Sequence, residues 1–329
     1  MVAVVHVCKE MAASGNRVQT QVSYWEDSSV VILPPRAFLA AELRKLITST
    51  REQVFVFHQQ ATLPALLIAY FLSLLMLRSH GFVYDMHDLA EVSRWSSARE
   101  KRFVRVYKIL ECLVARLDIP VITVSQGLCR VFRDRYRRTP KVVYNIGLSV
   151  PVKECPVPSR DVVYFGQIKE ERLSLSDIEI LSRTGMRVDL YGVLPNTTES
   201  TWAGRLLAIV RASGGSFHGR YSPHDMDFLS PYRFSLIAFE AERENIYFCM
   251  PNKLFQSLSK GLVCVVSDNM KEMIETFSST GAVVPMSRFQ DKSFNPEAVD
   301  WPAARRVLQK MTAESRRNFI EAVSAVSRF

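Results

Sequence analysis

The sequence predicts an α/β protein built from two parallel-sheet domains, and three observations point there. The chain has 329 residues, a length that suits two domains of ordinary size. Its 48% hydrophobic and 23% charged residues are the proportions of a globular protein. Each half reads as strand-and-helix units in alternation, which is the pattern of parallel sheets covered by helices. The six cysteines (Cys8, Cys112, Cys129, Cys155, Cys249, Cys264) are scattered, with no Cys-x-x-Cys pair. They fit reduced thiols rather than a disulfide framework or a zinc site. The opening residues lack the basic start and small-residue cleavage site of a signal peptide.

The elements follow in order. The first 25 residues admit two readings. Val2 to Val7 is one candidate strand. The favoured reading makes Val2 to Ser14 a helix, with Gly15-Asn-Arg-Val18 leading into the next strand, so that a first strand is missing. Val30 to Leu33 reads as a strand, Arg36 to Thr48 as a helix and Gln53 to His58 as another apolar strand. Leu63 to Leu77 is the longest apolar run, interrupted by Pro64 and Ser73. It is shorter than the roughly 20 residues that span a bilayer, so it reads as a buried helix, with interfacial insertion as the lesser option.

Gly81 to Leu89 is a strand and turn with its polar groups at the C-terminal end, where open parallel sheets bind ligands. That makes His87 and Asp88 site candidates, although a His at a strand end is more often a satisfied structural residue. Trp95 to Leu117 carries apolar residues at 103, 106, 107, 110, 113, 114 and 117, a helical stripe, with Arg99, Lys101, Arg102, Arg105 and Lys108 on its other face. Val121 to Val124 is a strand, and Ser125 caps a helix bearing five arginines from Arg130 to Arg138. Val150 to Ser159 holds three prolines in ten residues, a linker composition.

In the second half, Asp161 to Gly166 is a strand that delivers a glycine to its end, and Arg187 to Gly192 repeats the device. Phe217-His-Gly-Arg220 reads as a short strand and Ser222 to Leu229 as a capped helix. Asp225 and Asp227 formally match a metal-binding pair, but in a first helical turn carboxylates serve the helix dipole. Phe234 to Phe239 is a strand, followed by Glu240, Glu242 and Glu244. Then come a loop, a helix and a strand over 245–268. Pro251 fits the helix start, Leu254, Phe255 and Leu258 give it an apolar face, Gly261 stops it, and Leu262 to Val266 reads as a buried strand. Asn252 and Lys253 in the first turn suit a phosphate or a sugar hydroxyl. Helices close the chain over 303–329.

The run Met250-Pro-Asn-Lys-Leu-Phe-Gln-Ser-Leu-Ser-Lys-Gly-Leu-Val-Cys-Val-Val-Ser267 resembles the donor-site segment of retaining glycosyltransferases of the GT-B type, family 4-like (group 1), of the bacterial surface-polysaccharide kind. In that family the segment reads Pro-x-Lys-Leu-x-Glu-x-Leu-(Ala)-x-Gly-x-Pro-Val. Its Glu, which usually holds the donor ribose, is here Gln256, and the Pro after the Gly is here Val263. An amide still donates and accepts hydrogen bonds, without the strength of a carboxylate. The resemblance extends from about residue 53 to 275. Asp-x-His-Asp at 85–88 resembles the family element whose His faces the acceptor and the donor sugar. Where the family follows the glycine of the second domain's first strand with an Arg, this chain has Gln167, and Lys169 and Arg172 are the available cations.

The resemblance implies an α/β GT-B fold of two Rossmann-like parallel-sheet domains facing a cleft. The acceptor domain would span 1–149, the nucleotide-sugar domain 150–310, and a helix over 311–329 would return to the first domain. It implies transfer of a sugar from a nucleotide-diphosphate sugar to a glycan or lipid-linked acceptor, with retention, no metal and no cofactor beyond that co-substrate. His87, Asp88 and Lys253 are the catalytic candidates. Gly166, Lys169, Arg172, Gly192, Arg220, Glu244, Asn245, Pro251, Asn252, Leu254 and Gln256 are the donor-binding candidates. An inactive homologue that binds a partner is the second reading, carried by Gln256, Gln167 and the short N-terminus. A nucleotide-sugar epimerase is disfavoured, because its acidic and histidine set is not evident.

Charge adds a partner. The net charge is +9, and Arg94 to Lys141 alone holds 13 basic and 4 acidic residues. No aromatic-interleaved nucleic-acid module accompanies it. The excess predicts an anionic membrane surface as partner through 94–141. Together with the lipid-linked acceptor that the resemblance implies, it leads to the expectation of a cytoplasmic protein, peripheral on the inner face of the membrane.

Overall fold

A computed structural model describes residues 2–8, 16–32, 43–44, 47–48, 52–91, 97–146, 160–194, 201–222, 225–239, 243–291 and 294–327. The chain divides into two units, Met1–Leu148 with Lys310–Phe329, and Ser149–Gln309. The first unit's sheet runs β2-β1-β3-β4-β5-β6, from β1 (Ala3–Cys8), β2 (Ser28–Ile32), β3 (Gln53–His58), β4 (Gly81–Met86), β5 (Val121–Thr123) and β6 (Lys141–Val142). The second unit's sheet runs β11-β10-β9-β7-β8, from β7 (Arg160–Gln167), β8 (Val188–Val193), β9 (Tyr232–Ile237), β10 (Val263–Val266) and β11 (Val283–Pro285). All the pairings are parallel. In each sheet the second strand flanks the first on one side and the third flanks it on the other. The chain therefore reverses direction beside β1 and beside β7, and a doubly wound sheet binds ligands at the carboxyl ends around that point.

The N-terminus corrects the favoured sequence reading. Residues 3–8 are a strand, not the start of a helix. The reason is burial: every position of β1 is buried between two neighbouring strands, and valines suit that place better than a helix surface. The helix that follows is Asn16–Val22. Most of the helix expected at 36–48, the Trp95 start of the basic helix and the 150–159 linker lie outside the described residues.

Two helices are less buried than their sequences suggest. In helix Leu63–Leu75, Leu63, Leu66, Leu67 and Ala69 are buried, whereas Ile68, Phe71, Leu74 and Leu75 are exposed. A helix that is apolar all round has no polar side to mark its outer face, so periodicity could not report which half packs. Helix Ala98–Arg116 is closed at its start by a reciprocal capping box between Ser97 and Glu100. It buries Glu111, Val114 and Ala115 and leaves Phe103, Val106, Ile109 and Leu113 outside. The expected stripe is thus partly an outward one.

The second unit follows its reading more closely, with two corrections. Residues 217–220 make only an isolated bridge, Phe217 to Leu190, rather than a strand. Within the described part of 222–229 there is a 3-10 turn, Asp227–Leu229, instead of a capped helix. There Asp227 pairs with Lys260 Nζ at 2.7 Å. Helix Asn252–Ser259 ends as expected at Gly261. Leu262 N–H donates to Ser257 O and Gly261 N–H to Leu258 O, a Schellman closure that needs the left-handed φ of +75° at Gly261.

The closing helix, Trp301–Val326, contributes Phe319, Ala322 and Val323 to the first unit's core, against Val4, Val54, Val56, Val83 and Ile122. Its last turn lies on Gly81. A Cβ at that position would stand 2.7 Å from Val326 Cγ2 and 2.8 Å from Val326 O. Gly81→Ala should therefore lower stability by about 1–3 kcal/mol through overpacking against a backbone carbonyl. A urea midpoint equal to that of the wild type would show that the helix end yields freely.

Candidate functional site

The second unit holds a pocket of about 640 Å³ at the carboxyl ends of β7 and β8, lined by Gly166, Ile168, Lys169, Gly192, Arg220 and Tyr221 among others. Two glycines make it possible. Gly166 and Gly192 are register partners on adjacent strands, with φ of +126° and +152°. A Cβ on Gly192 would lie 2.1 Å from Gly166 O. Only glycine tolerates both that conformation and that approach.

Lys253 closes in on the same floor. A Cβ on Gly166 would stand 3.3 Å from its Nζ. The ammonium lies 4.1 Å from the Tyr164 ring centroid and 5.9 Å from that of Phe239, a cation–π arrangement. Arg172, at the end of the 3-10 turn Glu170–Arg172, stacks its guanidinium 5.7 Å from the Phe239 centroid. Its Nε is buried without a hydrogen-bond partner. Burial first, and the neighbouring Arg172 charge second, lower the Lys253 pKa to about 7. Tyr164 also fixes the loop, because its hydroxyl donates to Gln167 O at 2.7 Å and to Arg172 O at 3.1 Å. Among the described residues no carboxylate pairs with Lys253 or Arg172. Two cations therefore converge near a glycine-floored end of a sheet with no carboxylate among the described residues paired to either, and that arrangement favours an anion.

The structure brings some of the sequence-predicted residues together and sets others apart. Gly166, Lys169, Gly192 and Arg220 line the pocket, with Lys169 and Arg220 exposed. Lys253 and Arg172 stand beside it. Pro251 is the N-cap of helix Asn252–Ser259 and offers no side-chain hydrogen bond, so the helix start stays open. Asn252 Oδ1 is buried there without a partner. Gln256 is half-buried one turn further on. Leu254 has a core side chain, and its N–H donates to Pro251 O. Glu244 and Asn245 sit in the short helix Glu244–Tyr247, Asn245 buried, and neither lines the pocket. Glu240 and Glu242 lie outside the described residues.

In the first unit the polar strand ends form a buried network around Asp85. Arg17 Nε donates to Oδ1 at 3.0 Å and to Oδ2 at 2.8 Å, and Arg17 Nη2 makes a further short contact with Oδ1. Gln21 Nε2, His58 Nδ1 and His87 Nε2 reach Oδ2 at 2.9, 2.8 and 3.2 Å. Arg17 also donates to Val143 O, and Thr20 Oγ1 donates to Ile146 O. Burial opposes ionisation of Asp85. The Arg17 charge outweighs it, with His87 and the hydrogen bonds adding, and the carboxyl stays well below the usual carboxylate range. With His58 Nδ1 donating to Asp85, its Nε2 accepts from His6 Nδ1 at 3.0 Å, and His6 Nε2 is left buried without a partner. Burial, then the neighbouring His58, pushes His6 down to about 3.

His87 is half-buried and Asp88 exposed. Gln60 Nε2 donates to the Asp88 backbone oxygen at 2.7 Å. His58, Asp85 and His87 present donor atoms within 4.8 Å of one another, the formal outline of a metal site. Their chemistry speaks against one: both imidazoles already spend a nitrogen on Asp85, and the Arg17 charge would oppose a dication.

Sequence reasoning singled out none of Arg17, His58 or His6. The signal was present: β1, β3 and β4 are apolar strands, and each carries an ionisable residue in its interior or at its C-terminal end. Strand register then sets His58 directly beside Asp85.

No family model matches the chain, and no curated protein matches it in sequence. Its fold is similar to several solved structures. The Anabaena HepE structure in complex with UDP aligns with TM-score 0.66 at 13% identity, covering 99% of this chain and 98% of that one. The lipopolysaccharide outer core galactosyltransferase WaaB, in its apo form, aligns with TM-score 0.63 at 12% identity, over 98% and 99%. The sucrose-phosphate synthase of Thermosynechococcus elongatus aligns with TM-score 0.60 at 10% identity, over 99% and 96%. The chain therefore has the GT-B fold of two Rossmann-like domains.

Asp85→Asn leaves a buried guanidinium without its counter-charge and should cost about 3–5 kcal/mol of stability, read as a lowered urea midpoint. His6 binds a proton below its ordinary 6.5 in the unfolded chain but only below about 3 in the fold. Stability should accordingly fall as pH drops from about 6.5 towards 4. Asp85, with its depressed pKa, keeps its contribution through that window and loses it only at lower pH. His6→Phe should reduce the slope, the buried His58, whose pKa burial also lowers, keeping the rest; an unchanged slope would assign it to other groups.

Proposed function

We propose that this chain is a glycosyltransferase that moves a sugar from a nucleotide-diphosphate sugar to a glycan or lipid-linked acceptor, with retention. The observation that carries the reading is the pair Lys253 and Arg172, uncompensated by any described carboxylate, at the glycine floor of the second unit's pocket. A diphosphate fits that place. Its charge would meet two cations and the open start of helix Asn252–Ser259, and its oxygens could approach the backbone where Gly166 and Gly192 have no side chain. The GT-B fold supports the reading, as does the UDP held by the similar HepE structure.

In this reading the chemistry is electrostatic. As the sugar–phosphate bond breaks, charge builds on the departing diphosphate, and Lys253 and Arg172 stabilise it more than they stabilise the ground state. A partly desolvated ammonium gains most from this, because no water shell screens it. These side chains supply the positive charge, and the reading includes no metal. Lys169 and Arg220 would reach the outer part of the nucleotide. Gln256, one turn beyond Lys253, would hold a ribose hydroxyl through its amide. His87 and Asp88 belong to the acceptor side, where Asp85 orients the His87 ring through Nε2. No general base is assigned.

UDP serves as the probe. Lys253→Ala should weaken its binding about 10- to 100-fold in calorimetric titration, the scale of one or two charged hydrogen bonds, while thermal unfolding stays close to wild type. The Lys253 pKa near 7 adds a pH signature. Affinity should decline as pH rises above about 7, and Lys253→Met should remove that dependence. Wild-type affinity in Lys253→Ala would sink the site assignment. His87→Ala should lower turnover of a transferred sugar more than it lowers UDP affinity; equal turnover would return His87 to a purely structural place.

A further inference from the structure

The first unit carries an outward surface that its fold does not use. On helix Ala98–Arg116, at 3.6 residues per turn, Arg99, Arg102, Arg105, Val106, Ile109, Leu113 and Arg116 fall within an arc of roughly 120°. Val106, Ile109 and Leu113 are 49%, 62% and 37% exposed. The helix's two carboxylates point elsewhere. Glu111 is buried on the opposite side, where it accepts from Tyr136, and Glu100 caps the helix start. Helix Leu63–Leu75 packs beside it and adds Ile68, Phe71 and Leu75 at helical spacing, with Leu77 just beyond at 92% exposure. Between Glu52 and Arg78 the sequence has no acidic or basic residue other than His58. No helix among the described residues is long and apolar enough to cross a membrane.

We infer that these two helices form a membrane-docking face that rests on an anionic lipid surface. Apolar side chains alone would suit any greasy partner. What selects the lipid is the arginines interleaved among them, with no carboxylate on the same arc and no ion pair to any of the four among the described residues. Headgroup phosphates meet the guanidiniums, and Ile68, Phe71, Leu75, Ile109 and Leu113 enter the acyl boundary below. The second basic helix, Gln126–Tyr136, lies outside this face. Tyr136 reaches Glu111, on the buried side of helix Ala98–Arg116. The sequence charge excess over 94–141 is therefore divided by the fold, and only its first part does the docking. The inference stands independently of the glycosyl-transfer reading.

The test is co-sedimentation of the full chain with vesicles of neutral phosphatidylcholine, with or without about one-third phosphatidylglycerol. Partitioning should be at least tenfold stronger onto the anionic vesicles and should weaken from low salt to about 0.5 M as screening sets in. Two double variants carry the same change in charge. Arg102→Glu with Arg105→Glu should abolish binding, whereas Arg130→Glu with Arg133→Glu should retain most of it. Phe71→Ser with Ile109→Ser, both at exposed sites, should reduce partitioning severalfold with the circular dichroism spectrum unchanged. Equal loss in the two arginine pairs would reduce the effect to net charge and overturn the proposal. Equal binding to neutral and anionic vesicles, or none, would overturn it too. So would a concentration-dependent dimer in light scattering that Phe71→Ser with Ile109→Ser dissolves, since the face would then belong to a second copy.

Discussion

The first unit depends on one buried ion pair. Asp85 sits at the C-terminal end of β4 with no exposure, and Arg17 comes to it from the helix after β1 with 3%. A lone charge at that depth would be untenable, so each fixes the other. Arg17 spends its remaining reach on Val143 O, and Thr20 and Gln21 of the same helix bond Ile146 O and Asp85. One guanidinium thereby ties the helix, the fourth strand and the segment after β6 together at the carboxyl end of the sheet. The histidines extend the tie across the sheet, and Phe319 stacks on His6 at 5.9 Å to seal it. Such a network adds less net stability than specificity, because its geometry admits a single arrangement.

The second unit solves the opposite problem. Its strand ends bury positive charge against aromatic faces, and no carboxylate among the described residues pairs with it. Tyr164 shows how economical this is: its ring supports Lys253 while its hydroxyl holds the backbone loop that carries Arg172. The glycines keep the floor open. The first unit pairs its buried charge internally, whereas among the described residues the second does not.

Most of the fold was legible because strands buried on both faces leave continuous Val, Ile and Phe runs, and because Gly261 and Ser125 mark helix boundaries by known stereochemistry. The donor segment was legible through its spacing: Pro251, Lys253 and Gly261 stand where a helix start and a helix stop require them. Three things were not legible, each for a physical reason. The strand at 3–8 was obscured because a run of valines fits a buried helix as well as a strand until its neighbours are known. The outward side of Leu63–Leu75 could not be read because an all-apolar helix has no polar face to mark it. The Arg17–Asp85–His58 network joins residues up to 68 positions apart. Only strand register and the pairing of β1, β3 and β4 bring them together, and a sequence read segment by segment has no access to that.

The closing helix has a consequence for how the chain is made. Phe319, Ala322 and Val323 fill the core between strands that begin at Ala3, so the first unit is not a continuous piece of the polypeptide. A ribosome that has released the first 148 residues has not yet supplied the side chains that close their sheet. The second unit, Ser149–Gln309, is contiguous and complete before residues 310–329 are made. Domains generally fold in the order they emerge. Here the order is inverted: the second unit can settle first, and the first unit must wait, its apolar sheet face uncovered, for residues 310–329 to arrive. A nascent chain stalled before residue 310 should therefore be a client for chaperones through its first unit.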